Sequence, residues 1–309
     1  MERKRRHLSC AAALIFGLLH TGAALGAGVY QWRDADGNLH FGDAPAPEQN
    51  AKDLSADYNN RLPFEIVIEG VDYRVPPQVR DRITSYVRKI FTVYNQALEL
   101  EYPQSRQFLI KIYGSESAYR NYQRKVAPIL ENSSGFYNAE TNQITTWGMD
   151  EEQLIRLITH ECSHAISASH GRYIPTWLNE GLAEYFEQMN VAGLGASVPV
   201  SRYWIRVLQR HGYVQRPPKV QQIMDSLHQD WYSANGADGV SYAVSWSLVW
   251  FLMDSRNGRS IIEQILTTPH SPDHPNSSSF IQRSWPGGIA AFTEEWRNWL
   301  RDANGTHRY

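Results

Sequence analysis

Cysteine is scarce in this chain of 309 residues, and neither sign of charge is in clear excess. The two cysteines, Cys10 and Cys162, are too few for the disulfide network that stabilises many small secreted domains. The 30 basic and 32 acidic side chains give a formal net charge of −2, which argues against a nucleic-acid-binding protein. No internal repeat is visible. Stability must come from an apolar core, for which a hydrophobic content of 42% is ample.

The N-terminal segment has the pattern of a secretory signal. Basic residues precede an uncharged apolar run from Leu8 to Leu19, and small residues follow. This order predicts a signal peptide over residues 1–27 and a periplasmic or secreted mature protein without a stable membrane span. Cleavage would leave Cys162 alone and exclude an intramolecular disulfide. The alternative is an uncleaved anchor, because the apolar stretch approaches the roughly 20 residues of a membrane-spanning helix.

A short β-rich pattern follows the predicted signal. Two strands are expected on either side of an Asp-Gly turn at residues 34–38. With Gly42-Asp43-Ala44-Pro45, the segment resembles the module called domain of unknown function 4124, found on many envelope proteins of Gram-negative bacteria. We assign residues 28–47 to this module and 48–62 to a linker. The resemblance implies an envelope location and a partner there; the alternative is a hairpin that packs on the main domain.

The most informative motif is His160-Glu161-Cys162-Ser163-His164. Histidines four residues apart on a helix share one face, where both imidazoles can bind a single ion. Glu161 lies at the edge of that face, where it could take a proton from a metal-bound water without being a ligand. The alternative is a structural helix whose histidines are merely hydrogen-bonded. The apolar residues of the segment fall on the opposite face: Leu154, Ile155, Ile158, Cys162, Ala165 and Ile166.

A second segment offers a third metal ligand. Glu180 is expected near the start of a short helix, with Glu184 one turn later on the same face. In such a pair, Glu180 can bind the metal. Glu184 can then accept a hydrogen bond from the ring nitrogen of a ligand histidine that does not bind the metal. The alternative, a solvated acidic helix, conflicts with the large apolar residues around it. Gly181 costs helix stability, and its position beside Glu180 indicates the close approach of two backbones.

Together, His160 to His164 and the stretch Trp-Leu-Asn-Glu-Gly-Leu-Ala-Glu-Tyr from residue 177 resemble the gluzincins. The resemblance is closest to the peptidase-MA-like group related to aminopeptidase N. It implies a zincin-like metallopeptidase fold, with Glu161 as general base and Glu184 supporting a ligand. The Zn²⁺ ligands it implies are His160, His164 and Glu180. Fewer residues separate His164 from Glu180 than in aminopeptidase-N relatives, which implies a shorter loop beside the cleft.

A third stretch, which begins Ser241-Tyr242-Ala-Val-Ser-Trp, resembles the helix that supplies a tyrosine to the oxyanion in that family. The resemblance implies that the phenol of Tyr242 stabilises the tetrahedral oxyanion of acyl transfer. The alternative is a core residue, because a tyrosine at the start of an aromatic-rich helix commonly packs inside, and this chain has 17 tyrosines.

The remaining pattern predicts an α+β fold for residues 63–309, with a small mixed sheet, an active-site helix and a mostly helical C-terminal half. Strands are expected at 64–69 and 108–113, and a hairpin strand just before the active-site helix could bind an extended peptide. The expected helices are 77–100, 115–128, 201–211, 219–227, 242–254, 260–267 and 289–302, and the hairpin strands are 135–138 and 143–147.

These features predict a zinc-dependent peptidase that acts on peptides or proteins through a metal-bound water, with Glu161 as general base. Nothing ahead of the histidine helix matches the stretch by which aminopeptidase-N relatives capture a substrate amine, which favours an endopeptidase. Two alternatives share the scaffold. One is a non-catalytic envelope binding module, and the other is a zinc amidase that acts on cell-wall material.

Overall fold

The computed structural model describes residues 30–33, 39–42, 52–53 and 65–309, the last range with gaps at 101–106, 131–132, 170–171 and 236–237. The predicted signal peptide, the Asp-Gly turn and most of the predicted linker lie outside the described residues. The chain divides into two compact units, residues 1–60 and 61–309.

The N-terminal unit contains one antiparallel sheet of three short strands. The strands are β1 (Tyr30–Arg33), β2 (Leu39–Gly42) and β3 (Lys52–Asp53). β1 lies in the centre and pairs with both of the others. The first two strands correspond to the expected hairpin, whereas β3 falls inside the segment predicted as a linker.

The larger unit begins with a mixed four-stranded sheet of order β4-β5-β7-β6. The strands are β4 (Ile66–Val71), β5 (Phe108–Tyr113), β6 (Gly135–Asn138) and β7 (Gln143–Trp147). β4, β5 and β7 are parallel, while β6 is antiparallel to β7 and forms one edge. The small mixed sheet expected from the sequence is therefore present, and the hairpin of β6 and β7 directly precedes the histidine helix.

Four helices accompany this sheet: α1 (Pro77–Ala97), α2 (Glu116–Val126), α3 (Glu151–Ala168) and α4 (Thr176–Glu187). α1 begins with a proline, which is tolerated in the first turn because its missing N–H would have no helical partner. Asp150 caps α3 by accepting hydrogen bonds from the backbone N–H groups of Glu152 and Gln153. α3 packs against α1, α4 and β6, which places the histidine motif between the sheet and α4.

The C-terminal half is mostly helical, as expected, but it also contains three short strands that the sequence analysis did not identify. Its helices are α5 (Arg202–Arg210), α6 (Val220–Met224), α7 (His228–Ser233), α8 (Val240–Met253), α9 (Arg256–Thr267), α10 (Ser278–Ser284) and α11 (Gly288–Arg301). Its strands are β8 (Asn190–Ala192), β9 (Gly195–Pro199) and β10 (Thr306–Arg308), which form a second sheet with β9 in the centre. The sheet joins the last strand of the chain to a hairpin that directly follows α4.

α8 is the central helix of the core. It is apolar on all sides, as expected of a fully enclosed helix, and it contacts α4, α5, α9 and α11. Trp246 and Trp250 of this helix are both buried in the core. Within the described residues, no helix has both the length and the apolar character needed to cross a membrane.

Candidate metal centre

Three side-chain atoms suited to metal binding converge between α3 and α4. His160 and His164 lie one turn apart on α3, and Glu180 lies in the second turn of α4. The two Nε2 atoms are 3.2 Å apart, and Oε2 of Glu180 is 3.7 Å from the first and 3.6 Å from the second. The structure therefore brings together the three residues expected to be ligands.

The spacing of these atoms suits a tetrahedral ion. With metal–ligand bonds of about 2.0–2.2 Å, tetrahedral coordination separates neighbouring ligand atoms by about 3.3–3.6 Å. The observed separations of 3.2, 3.6 and 3.7 Å agree with that requirement. The three residues can hold a divalent metal ion, and three protein ligands leave room for water or substrate, as catalytic metal sites require.

Glu161 lies on α3 beside the first histidine and is only 6% exposed. Burial raises the pKa of its carboxyl group, while the nearby imidazoles and a hydrogen bond from the backbone of Tyr137 lower it. Tyr137 belongs to β6, so the edge strand holds this carboxylate directly. Glu161 and the three ligand residues line the same cavity, where the carboxylate can exchange a proton with water.

A residue that the sequence analysis did not single out holds His160. Oε2 of Glu187 lies 3.2 Å from Nδ1 of His160 and can accept its N–H, which leaves Nε2 for a metal. Burial lowers the pKa of His160, but this hydrogen bond and the charges of Glu184, Glu161 and Glu187 raise it to about 10. Metal binding at this histidine must therefore displace a firmly held proton.

Glu184, which was expected to accept the ring N–H of a ligand histidine, makes a different hydrogen bond. Its Oε1 is 3.7 Å from Nδ1 of His160, beyond hydrogen-bond distance, and its Oε2 accepts a bond of 2.9 Å from the indole of Trp204. Burial and the charge of Glu187 raise the pKa of Glu184 to about 8. The sequence signal for Glu187 was its spacing, because glutamates at i, i+4 and i+7 share one helix face.

α7 brings two further residues to the cavity, His228 and Tyr232, which the sequence analysis also missed. The hydroxyl of Tyr232 donates a hydrogen bond of 2.7 Å to Oε1 of Glu180. Burial, together with the charge of Glu180, raises the pKa of Tyr232, so this hydroxyl remains a donor. Nδ1 of His228 lies 3.1 Å from Oγ1 of Thr176 at the start of α4. In the sequence, the four-residue spacing of His228 and Tyr232 was the one feature that placed them on a common helix face.

Tyr242, the expected oxyanion donor, lies in the first turn of α8 and lines the same cavity. Its ring packs edge-on against Trp231, with ring centroids 4.8 Å apart. Burial, followed by the charges of Glu180 and Glu184, raises the pKa of Tyr242. Its hydroxyl therefore keeps its proton at neutral pH and can donate it in a hydrogen bond.

The cavity above these residues has a volume of about 1240 Å³. β6 forms one wall, and α7 with the segment before α4 forms another. Gly135 in β6 lets the strand approach α3 closely, because a Cβ atom there would lie only 3.0 Å from the side chain of Leu157. Much of the remaining surface is apolar or aromatic, including Leu130, Phe136, Trp147, Met149 and Ile174. The cavity thus joins a polar metal centre to a surface suited to apolar side chains.

Comparison with protein families finds two matches. Residues 16–61 match the family described as domain of unknown function DUF4124, in agreement with the resemblance seen in the N-terminal module. Residues 154–271 match the family described as protein of unknown function DUF1570. That range contains every residue assigned above to the metal centre, from His160 to Tyr242. No curated protein matches the chain.

Proposed function

We propose that the protein is a zinc-dependent peptidase of the gluzincin type with a zincin-like fold. The observation that carries the proposal is the convergence of His160, His164 and Glu180 beside the buried carboxylate of Glu161. Two imidazoles and one carboxylate are a ligand set of catalytic zinc sites, and the i, i+4 histidines enclose the general base of metallopeptidases.

Each residue of the site has its own role in the proposed reaction. His160, His164 and Glu180 would hold Zn²⁺, which when bound activates water and polarises the carbonyl group under attack. Glu161 takes the proton from the attacking water and then gives it to the departing amine. Tyr242 donates a hydrogen bond to the oxyanion as the carbonyl becomes tetrahedral. Burial makes Glu161 a stronger base than an exposed carboxylate.

The substrate we propose is an extended peptide or protein segment bound along β6. In the described part of the chain, β6 is an edge strand that lines the cavity beside Glu161, a position from which an edge strand can bind an extended segment. The acidic residues that line the cavity all belong to α3 and α4. No described carboxylate ahead of α3 is placed to capture a substrate amine, which supports an endopeptidase rather than an aminopeptidase.

We propose that the peptidase acts in the periplasm or outside the cell. The predicted signal over residues 1–27 and the match to a module that the sequence analysis associated with envelope proteins both support this location. The same module could bring an envelope partner to the peptidase.

The test combines metal analysis of the purified mature protein with cleavage of a peptide library, with and without a chelator. We expect bound zinc and cleavage that stops on chelation and returns with zinc. Glu161→Gln should keep its zinc and lose about 10²–10⁴-fold in activity. Glu140→Gln, which changes an exposed turn residue, should cleave like the wild type.

The outcomes separate the alternatives. Full activity of Glu161→Gln would refute the assignment of the base, and a wild type without bound metal would refute the zinc site. Zinc-dependent hydrolysis of cell-wall amides but not of peptides would identify an amidase, while bound zinc without any turnover would identify a binding module.

A further inference from the structure

The two carboxylate oxygens of Glu180 have different partners. Oε2 faces the two ligand histidines, whereas Oε1 accepts the hydrogen bond of 2.7 Å from the hydroxyl of Tyr232. We propose that Tyr232 is a positioning residue for Glu180, which occupies Oε1 and so leaves Oε2 alone for the metal. This inference rests on the proposed function, because it presumes that the site binds zinc.

The burial of Glu180 makes this hydrogen bond important. The side chain is only 6% exposed, and a buried carboxylate oxygen without a donor is costly. Among the described residues, Tyr232 is the one that donates a hydrogen bond to Glu180. Without the hydroxyl, Oε1 would be left unpaired or would turn to the ion as a second ligand atom. Either change alters the affinity or the coordination number of the site.

The helix that carries Tyr232 is held in place by contacts of its own. The neighbouring residue Trp231 is buried, and its indole N–H donates a hydrogen bond of 3.1 Å to Ser245 of α8. Its backbone carbonyl accepts a hydrogen bond of 3.0 Å from the hydroxyl of Ser241. The contact of His228 with the start of α4 fixes the first turn. α7 therefore presents the phenol to Glu180 without help from a substrate.

This arrangement gives the two tyrosines of the cavity separate tasks. The hydroxyl of Tyr232 is engaged with a ligand residue and acts on the reaction only through that ligand. The hydroxyl of Tyr242 shares a hydrogen bond with the hydroxyl of Tyr232 rather than with a ligand residue, and in the proposed function it acts on the substrate. Loss of the first should weaken metal binding, and loss of the second should slow turnover without weakening metal binding.

The test is Tyr232→Phe, which removes only the hydroxyl group. Its zinc dissociation constant, measured by competition with a chromophoric chelator, should rise about 10–100-fold, the usual effect of losing a partner of a metal ligand. The visible spectrum of the Co²⁺-substituted protein should also change if the carboxylate becomes a bidentate ligand. Neither measurement depends on peptidase activity.

Two tyrosine variants serve as controls. Tyr203→Phe removes a hydroxyl from an exposed side chain whose hydroxyl has no hydrogen bond within the described structure, and it should bind zinc like the wild type. Tyr242→Phe should also keep the zinc affinity of the wild type while its kcat falls. The melting temperatures of all the metal-free variants are measured in parallel.

Each outcome decides the question. Weaker zinc binding by Tyr232→Phe, with a metal-free melting temperature equal to that of Tyr203→Phe, supports the positioning role. Zinc binding within twofold of the wild type overturns it. A metal-free form that melts well below the control also overturns it, because the hydroxyl then serves the fold rather than the ligand. A wild type that binds no zinc would instead overturn the proposed function.

Discussion

Glu187, rather than Glu184, makes the hydrogen bond to the imidazole of His160. Both glutamates lie on the face of α4 that is turned towards α3, so helical spacing alone does not distinguish them. The choice depends on the relative placement of the two helices and on Trp204, which engages Glu184 from α5. The identity of this acceptor depends on tertiary packing, so it could not be predicted from the sequence.

Removal of the Glu187 carboxylate should therefore weaken the metal centre. We expect Glu187→Ala to lower zinc affinity about 10–100-fold, because Nδ1–H of His160 loses its acceptor and the ring loses its fixed orientation. Chelator competition measures the effect, and Glu140→Ala provides the matched control on an exposed glutamate. Unchanged affinity would show that Glu184 takes over as the acceptor.

The residues that the sequence analysis identified at the site share one property. His160, Glu161 and His164 form a contiguous motif, and Glu180 belongs to a second compact stretch, so short spacing was sufficient to find them. His228 and Tyr232 reach the site from a helix of only six residues. No expected element covered that helix, and its place beside Glu180 is a long-range contact that the local sequence does not indicate.

α4 and α8 approach each other closely at Gly181. A Cβ atom on Gly181 would lie 2.7 Å from the carbonyl oxygen of Ser245 and 2.8 Å from the side chain of Val249. The close backbone approach expected from this glycine is therefore present. It fixes the helix that carries Glu180 against the helix that carries Tyr242.

Gly181→Ala should separate these helices and destabilise the protein. Although alanine favours helix formation, the added methyl group meets backbone atoms that cannot move aside, and such overpacking costs about 1–3 kcal/mol. Urea unfolding of the metal-free protein measures this cost. Gly195→Ala is the control, because its nearest contact would be an ordinary 3.6 Å. Equal stabilities would mean that the helix interface adapts at no cost.

The elements found from the sequence are those with several turns or clear alternation. α1, α2 and α8 occur close to their expected positions, as do β5 and the hairpin of β6 and β7. The strands β8 to β10 were missed because each has only three to five residues and because β10 pairs with a strand far away in sequence. The local sequence of a strand does not indicate which distant strand it will pair with.

At the scale of the whole molecule, a chain of hydrogen bonds ties the last strand to the site helix α4. His307 contacts Asp254 through Nε2 at 3.2 Å and the hydroxyl of Tyr185 through Nδ1 at 2.7 Å. Tyr185 also meets the hydroxyl of Tyr309 at 2.5 Å. Neutral His307 can make both hydrogen bonds at once, because its Nε2–H donates to the carboxylate of Asp254 and its Nδ1 accepts from the phenol of Tyr185. This connection links the end of the chain to the residue next to Glu184.

Protonation of His307 should weaken this connection and make folding stability depend on pH. Burial lowers the pKa of His307 below its ordinary value of 6.5, although Asp254 opposes the shift. The unfolded chain therefore takes up a proton at a higher pH than the folded chain. Stability from this group is fully present above about pH 6.5 and is lost as the pH falls through the folded pKa.

The measurement compares melting temperatures of the metal-free wild type and His307→Gln between about pH 7.5 and about pH 5. The wild type should lose more stability on acidification than the variant, because only the wild type must take up this proton to unfold. His274→Gln, at an exposed histidine, should follow the wild type and thereby separate a local effect from the general titration of histidines. Parallel pH profiles for all three proteins would show that His307 is protonated equally in the folded and unfolded chains, and the hydrogen-bond chain to α4 would then contribute no pH dependence.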